Sequence, residues 1–178
     1  LAGPVVAAAV IIPETAGEWV RAIDDSKKLS AKKRAALFAD IIAHCPHAIA
    51  TASVDEIDQL NILQASLLAM RRAVLALHPT PHQVWVDGNQ VIRDLPMACI
   101  PVIGGDGIHA AIGAASILAK VTRDRIMNEL AALYPQYGFA KHAGYGTAQH
   151  LAALRQYGPC PEHRRSFAPV RAALAQSA

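Results

Sequence analysis

Aromatic side chains are scarce in this chain: Phe, Trp and Tyr make up 5% of its 178 residues, although 53% are hydrophobic. An apolar content built from Ala and aliphatic residues suits helices packed on a sheet. Long apolar runs are missing too. None approaches the roughly 20 residues that a bilayer span requires, so no membrane association is expected. No basic-then-apolar secretion leader is visible. The three cysteines, Cys45, Cys99 and Cys160, form no CxxC pair and no Cys/His metal spacing. Reduced thiols in a cytoplasmic protein are the expectation. Also lacking are a GxGxxG turn, the Gly-Lys-Ser/Thr ending of a P-loop, a GxSxG elbow and an HExxH pair. Dinucleotide binding, P-loop chemistry, an α/β-hydrolase and a zincin are thereby disfavoured.

What is present is a mildly basic chain, with net charge +3. The charge is unevenly spread. Lys27, Lys28, Lys32, Lys33 and Arg34 crowd together, and Arg164 and Arg165 follow His163. Such a run is either a solvated helix face or a phosphate-contacting patch. Val5 to Ile12 reads as a buried strand and His47 to Val54 as a second. Ser30 is a plausible N-cap for a helix to about Ala43. From Asp55, apolar residues recur at spacings of three and four through Leu77, which predicts one long helix or two abutting ones. "QVWVDGN" and "MACIPVIGGDG" read as short strands, and a long helix is predicted over 109–133. A Gly- and Tyr-bearing loop, a helix over 147–157 and a short helix near Pro169 complete the chain. The alternation predicts one α/β domain over 1–178, a mixed sheet covered by helices.

In α/β sheets, ligands gather at the carboxyl ends of strands. Asp87 and Asp106 each follow a predicted strand and precede a glycine. Two nearby carboxylates repel unless a proton or cation sits between them, and Mg²⁺ is commonly held by one or two carboxylates, water and phosphate. The alternative is structural: Asp-Gly turns, with Asp106 capping the next helix. Ser116, Lys120 and Asp124 repeat every four residues along one helix face, which reads first as a Lys120–Asp124 ion pair. Tyr145, between two glycines, either stacks on a sugar or base or packs back on the core. His142 and His150 read as loop and helix-surface residues.

"LAGPVVAAAV", "DDSKKLSAKKR", "ASVDEIDQLNILQASLLAMRRAV", "VWVDGN", "GAASILAKVTRDR", "YPQYGFAKHAGYGT" and "HRRSFAPV" occur in this order. Over essentially the whole chain they resemble bacterial ribonuclease HII, the type 2 ribonuclease H. The resemblance implies a ribonuclease H-like fold and hydrolysis of the RNA strand of RNA–DNA hybrids, including incision 5′ of ribonucleotides embedded in duplex DNA. It implies two-metal catalysis with Mg²⁺ or Mn²⁺, four carboxylates of which two map onto Asp87 and Asp106, and a supporting Asp124. Tyr145 would stack on the deoxyribose after the ribonucleotide, with Lys27 and Arg165 as phosphate-side contacts. The implied protein is a cytoplasmic monomer.

Three departures from the family pattern carry expectations. Gly104 stands where members usually have Lys, and Ala143 replaces a Lys in the tyrosine loop. Both changes predict weaker and less salt-sensitive binding. In the family, an Asp-Glu-Ala-Gly-Arg-Gly-Pro segment precedes the equivalent of "LAGPVV" and supplies a first strand and two carboxylates. The sequence therefore reads as a truncated member lacking that strand, expected to be inactive or nearly so. The competing readings are a nucleic-acid-binding remnant that does not cut, and a phosphohydrolase acting on small phosphates.

Overall fold

The structure is a computed structural model that describes residues 1–176. Four strands are present among these residues: β1 (Val5–Val10), β2 (His47–Ala52), β3 (Gln83–Asp87) and β4 (Ala98–Val102). The helices are α1 (Ala31–His44), α2 (Val54–Leu60), α3 (Ile62–Leu75), α4 (Ala110–Leu133), α5 (Phe139–His142), α6 (Ala148–Tyr157) and α7 (Ala168–Gln176). Short 3-10 turns cover Glu18–Ala22, Gly105–Gly107 and Pro135–Tyr137. The chain forms two compact units that interleave along the sequence. One comprises 1–5, 52–66 and 122 onward; the other comprises 6–51 and 67–121.

The second unit explains why "VVAAAVII" carries no polar residue. Side chains alternate across a strand, and β1 is covered on both faces. Ala8, Val10 and Ile12 pack with Leu37 and Ile41 of α1 and with Ala114, Ile117 and Leu118 of α4. Ala9 and Ile11 join Ala48 and Ala50 of β2, Ala73 and Val74 of α3, and Val84 and Val86 of β3. On α4 the buried positions 114, 117 and 118, with half-buried 121, follow the i, i+3, i+4, i+7 rule of a helix stripe. Ser30 caps α1 as anticipated, its side chain accepting from the Lys33 N–H at 3.2 Å. The strands do not make one continuous ladder. β1 pairs with β2, and β3 pairs in parallel with β4, Asp87 opposite Val102. Side-chain packing in the shared core, rather than backbone hydrogen bonds, holds the two pairs together. Pro101, with no N–H to give, is compatible with β4 as an edge strand.

The long helical pattern resolves into two helices. Asn61 adopts φ 72° between them. Its N–H bonds back to the Ile57 carbonyl, while its Oδ1 accepts from the Leu63 and Gln64 amides at 3.0 and 3.1 Å. One residue therefore closes α2 and opens α3. A Ser53/Glu56 capping box starts α2. The core of the first unit gathers Met127, Leu130, Tyr137, Phe139, Ala153 and Cys160 around Ala2. Arg123 and Arg164 brace the segment carrying Ala2. The Arg123 guanidinium donates to the Pro4, Ala2 and Ala143 carbonyls, and Arg164 Nε donates to the Gly3 carbonyl at 3.0 Å. No described helix is long and apolar enough to cross a membrane.

Candidate metal centre and nucleic-acid interface

β3 delivers Asp87 as its last residue. The Gly88 N–H then bonds the Val102 carbonyl at 2.9 Å, holding the end of β3 against the end of β4. Asp106 sits further along than the sequence suggested. It does not end β4 directly but lies in the 3-10 turn Gly105–Gly107, entered through Gly104 in the left-handed region at φ 67°. The two loops are fastened together: the Gly105 N–H donates to Asp87 Oδ1 at 2.9 Å. Gly105 packs closely here: a Cβ would come within 2.5 Å of Ile112 Cδ1 on α4 and 3.2 Å of Val102 Cβ, so Ile112 would have to shift.

A third element completes the cluster. Asp25 and Lys27 lie on the loop before α1, and both act electrostatically on Asp106. The Asp106 carboxyl is pushed above the usual carboxylate range, first by burial and then by the Asp87 and Asp25 charges, with Lys27 opposing them. The loop is well anchored. Asp25 Oδ1 accepts from the Lys27 N–H at 2.9 Å, and the buried Ser26 hydroxyl meets Ser116 Oγ of α4 at 2.8 Å. Arg34, grouped above with the phosphate-seeking cations, instead donates to the Ser26 and Leu29 carbonyls at 2.6 and 2.7 Å. Asp25 was not singled out from the sequence. The signal available was its place in "DDSKK", two residues before a lysine already chosen.

Like charges gathered at a half-exposed edge suit a cation that would relieve their repulsion. Among the described residues, no group of three or more His, Cys, Asp or Glu side chains is arranged to hold a metal ion. The donors present therefore fit an ion that takes one or two carboxylates and fills its remaining positions with water and phosphate oxygens, as Mg²⁺ does.

Asp124, Tyr145 and Arg165 belong to the other unit. Asp124 is half-buried on α4. The Tyr145 side chain is not packed on the core: it is 67% exposed. Its backbone is tightly held, its N–H bonded to the His142 carbonyl and its carbonyl to the Thr147 N–H, both at 2.9 Å. Arg165 is exposed, and its N–H and that of Ser166 both donate to the Asp58 carboxylate of α2, at 2.7 and 2.8 Å. Burial acts to raise the Asp58 carboxyl, but these bonds, the Ser166 hydroxyl and the Arg165 charge outweigh it and hold it low.

His142 and His150 are not surface residues. They are 8% and 0% exposed, and His150 meets the equally buried His163, Nε2 to Nε2, at 3.0 Å. Phe139 and Tyr137 enclose them edge-on. His150, Ala153 and Leu154 share the buried face of α6. That spacing was the available signal for His150. All three cysteines are free.

A family model described as Ribonuclease HII matches residues 1–170. The ribonuclease HII of Burkholderia pseudomallei (strain 1710b) is 56% identical over 178 residues, which cover 98% of this chain and 80% of that protein. The crystal structure of the ribonuclease H2 from Pyrococcus horikoshii OT3 superposes with a TM-score of 0.76 at 25% identity, covering 98% of this chain and 93% of that one. A Bst-RNase HIII structure in complex with Mn²⁺ has a TM-score of 0.72 at 18% identity over 99% of this chain and 66% of that one, a likeness of fold. With its family match over nearly all its length, its relative at more than half identity and its ribonuclease H-like fold, this chain belongs to the ribonuclease HII family.

Proposed function

We propose that the chain acts on RNA–DNA hybrids and on ribonucleotide-containing duplex DNA, hydrolysing the RNA strand and incising 5′ of embedded ribonucleotides. Asp87 and Asp106 are the residues that would hold Mg²⁺ or Mn²⁺. Bound divalent ions would supply an activated water and charge stabilisation for the leaving oxygen. The observation that carries this reading is the fastening of the Asp106 turn to Asp87 through the Gly105 N–H at the joined ends of β3 and β4, which brings the Asp87, Asp106 and Asp25 charges to act on one another. Asp87 spends one lone pair on the Gly105 amide, which fixes the carboxylate's orientation. Lys27 is exposed and its charge reaches Asp106, so it is placed to meet a phosphate brought to these acids. Tyr145 offers an open ring to a deoxyribose, and the exposed Arg165, whose charge also acts on Asp58, would meet a phosphate. Asp124 is assigned a supporting role. Base identity should matter little, since the 2′-hydroxyl is what tells RNA from DNA.

The test is cleavage of an end-labelled hybrid and of a duplex with one ribonucleotide, with and without Mg²⁺ or Mn²⁺. Metal-dependent products with 5′-phosphate and 3′-hydroxyl ends are expected, and lost in Asp87→Asn and Asp106→Asn. Cutting that survives chelation, or that survives both substitutions, would overturn the assignment.

A second reading, binding without cutting, keeps the inactivity expected from the sequence, and one observation favours it. The described residues bring together no set of three metal-ligating side chains. Tight hybrid binding by this 178-residue chain with no metal-dependent product would select that reading.

A further inference from the structure

The exposed ring of Tyr145 gains no rigidity from core packing, so its placement depends on its backbone. That backbone lies in a sharp turn. Ala143 and Gly144 both have positive φ, 47° and 79°. A Cβ on Gly144 would come within 2.6 Å of the Ala2 carbonyl oxygen. Beneath this turn runs a chain of hydrogen bonds with only one self-consistent direction. The Cys160 N–H donates to His163 Nδ1 at 3.0 Å, so that nitrogen is an acceptor. A neutral His163 then carries its proton on Nε2 and donates it to His150 Nε2 at 3.0 Å. His150 in turn carries its proton on Nδ1, which donates to the Tyr145 carbonyl at 2.8 Å. Each bond dictates the tautomer of the next ring.

We propose that His150 and His163 are positioning residues for Tyr145: their relay from the Cys160 amide fixes the tyrosine's backbone and so aims its ring at the sugar of a bound duplex. The surroundings suit this role. His150 stacks on His142 with centroids 4.6 Å apart and meets the edge of Phe139 at 5.4 Å. His163 meets Tyr137 edge-on at 4.8 Å. Both imidazoles are wholly buried. Neither ring can therefore turn to another partner without displacing its neighbours. Burial also keeps both rings neutral, the state the relay needs.

The inference rests on the reading that Tyr145 touches nucleic acid, but its first test does not. Nitrogen-15 spectra of the imidazoles near neutral pH should show opposite tautomers, Nδ1–H on His150 and Nε2–H on His163. The same tautomer on both would overturn the relay. The second test compares His150→Asn, whose amide can replace the Nδ1–H donor, with His150→Leu, which has no donor. The readout is the ratio of affinities for a duplex with one ribonucleotide and for an all-DNA duplex. Tyr145→Ala should lower that ratio about tenfold or more. His150→Leu should lower it comparably, His150→Asn should restore most of it, and adding Tyr145→Ala to His150→Leu should cost nothing further. An unchanged ratio in His150→Leu, or additive losses in the double variant, would refute positioning through Tyr145. If Tyr145→Ala itself changes nothing, the stacking reading falls alone. Amide exchange over residues 143–147 then decides the relay: it should be about tenfold faster in His150→Leu than in His150→Asn, and equal rates would overturn it.

Discussion

Two groups of titratable side chains in this protein are built on opposite plans. Around Asp106, carboxylates of like charge meet at a half-exposed strand edge, anchored by backbone amides. Around His150, the imidazoles are buried, those of His150 and His163 are kept neutral, and each nitrogen but one is matched to a partner, the exception being His142 Nδ1. The acidic group holds repulsion that a cation would relieve. The histidine group avoids repulsion by keeping His150 and His163 uncharged, and it hardens a loop. For the proposed function, the two needs differ: one site must attract a mobile ion, the other must not move.

The largest expected effect breaks the acidic side of the comparison. Asp87→Asn or Asp106→Asn should reduce metal-dependent cleavage by two or more orders of magnitude, on the order of 3 kcal/mol in the barrier. Single-turnover rates on a hybrid duplex measure it.

Acid should break the histidine side next. Burial first, then the neighbouring His150, lowers His163 to about 4, below the ordinary 6.5 that an unfolded chain would show. The unfolded chain therefore binds more protons between these values. The contribution is fully present above pH 6.5 and is lost as pH falls toward 4. It should amount to on the order of 2–3 kcal/mol. Urea midpoints across that range check this, and His163→Gln should flatten the dependence.

Adding cations sharpens the contrast between the two regions as nucleic-acid contacts. Ala143→Lys and Gly104→Lys should each steepen the salt dependence of hybrid binding by about one counterion. Gly104→Lys should cost about 1 kcal/mol of stability, because φ 67° suits glycine. Fluorescence anisotropy over a salt series and thermal melts separate the two effects.

The smallest effect has the opposite pH sign from His163. The Asp106 carboxyl is raised, so the folded state holds its proton more tightly than the unfolded chain does, and the penalty is present only once it ionises. Asp106→Asn should therefore stabilise the metal-free protein at pH 7 by less than about 1 kcal/mol, given solvent screening. The gain should vanish at low pH. Mn²⁺ should raise the melting temperature of the wild-type chain and not of the variant.

Much of this was open to inspection in the sequence. The doubly apolar run of β1, the Ser30 cap and the stripe on α4 are local patterns of period two or 3.6, and such patterns are set by neighbours in the chain. Asp87 and Asp106 were legible because each precedes a glycine near a strand end. Asp25 was not legible as their companion, since its nearness depends on the Ser26–Ser116 contact across 90 positions. His142 and His150 were misplaced for a related reason. A histidine in a polar stretch looks solvent-facing until the rings of Tyr137 and Phe139 close over it.

By itself, then, the sequence determined most of the elements, the Ser30 cap and the family, because propensity, periodicity and motif order are properties of short segments. Tertiary structure decided which charges face one another, that Arg34 serves the backbone rather than a phosphate, and that two histidines form a relay. Electrostatic repulsion and desolvation act through space, and only the folded chain sets those distances.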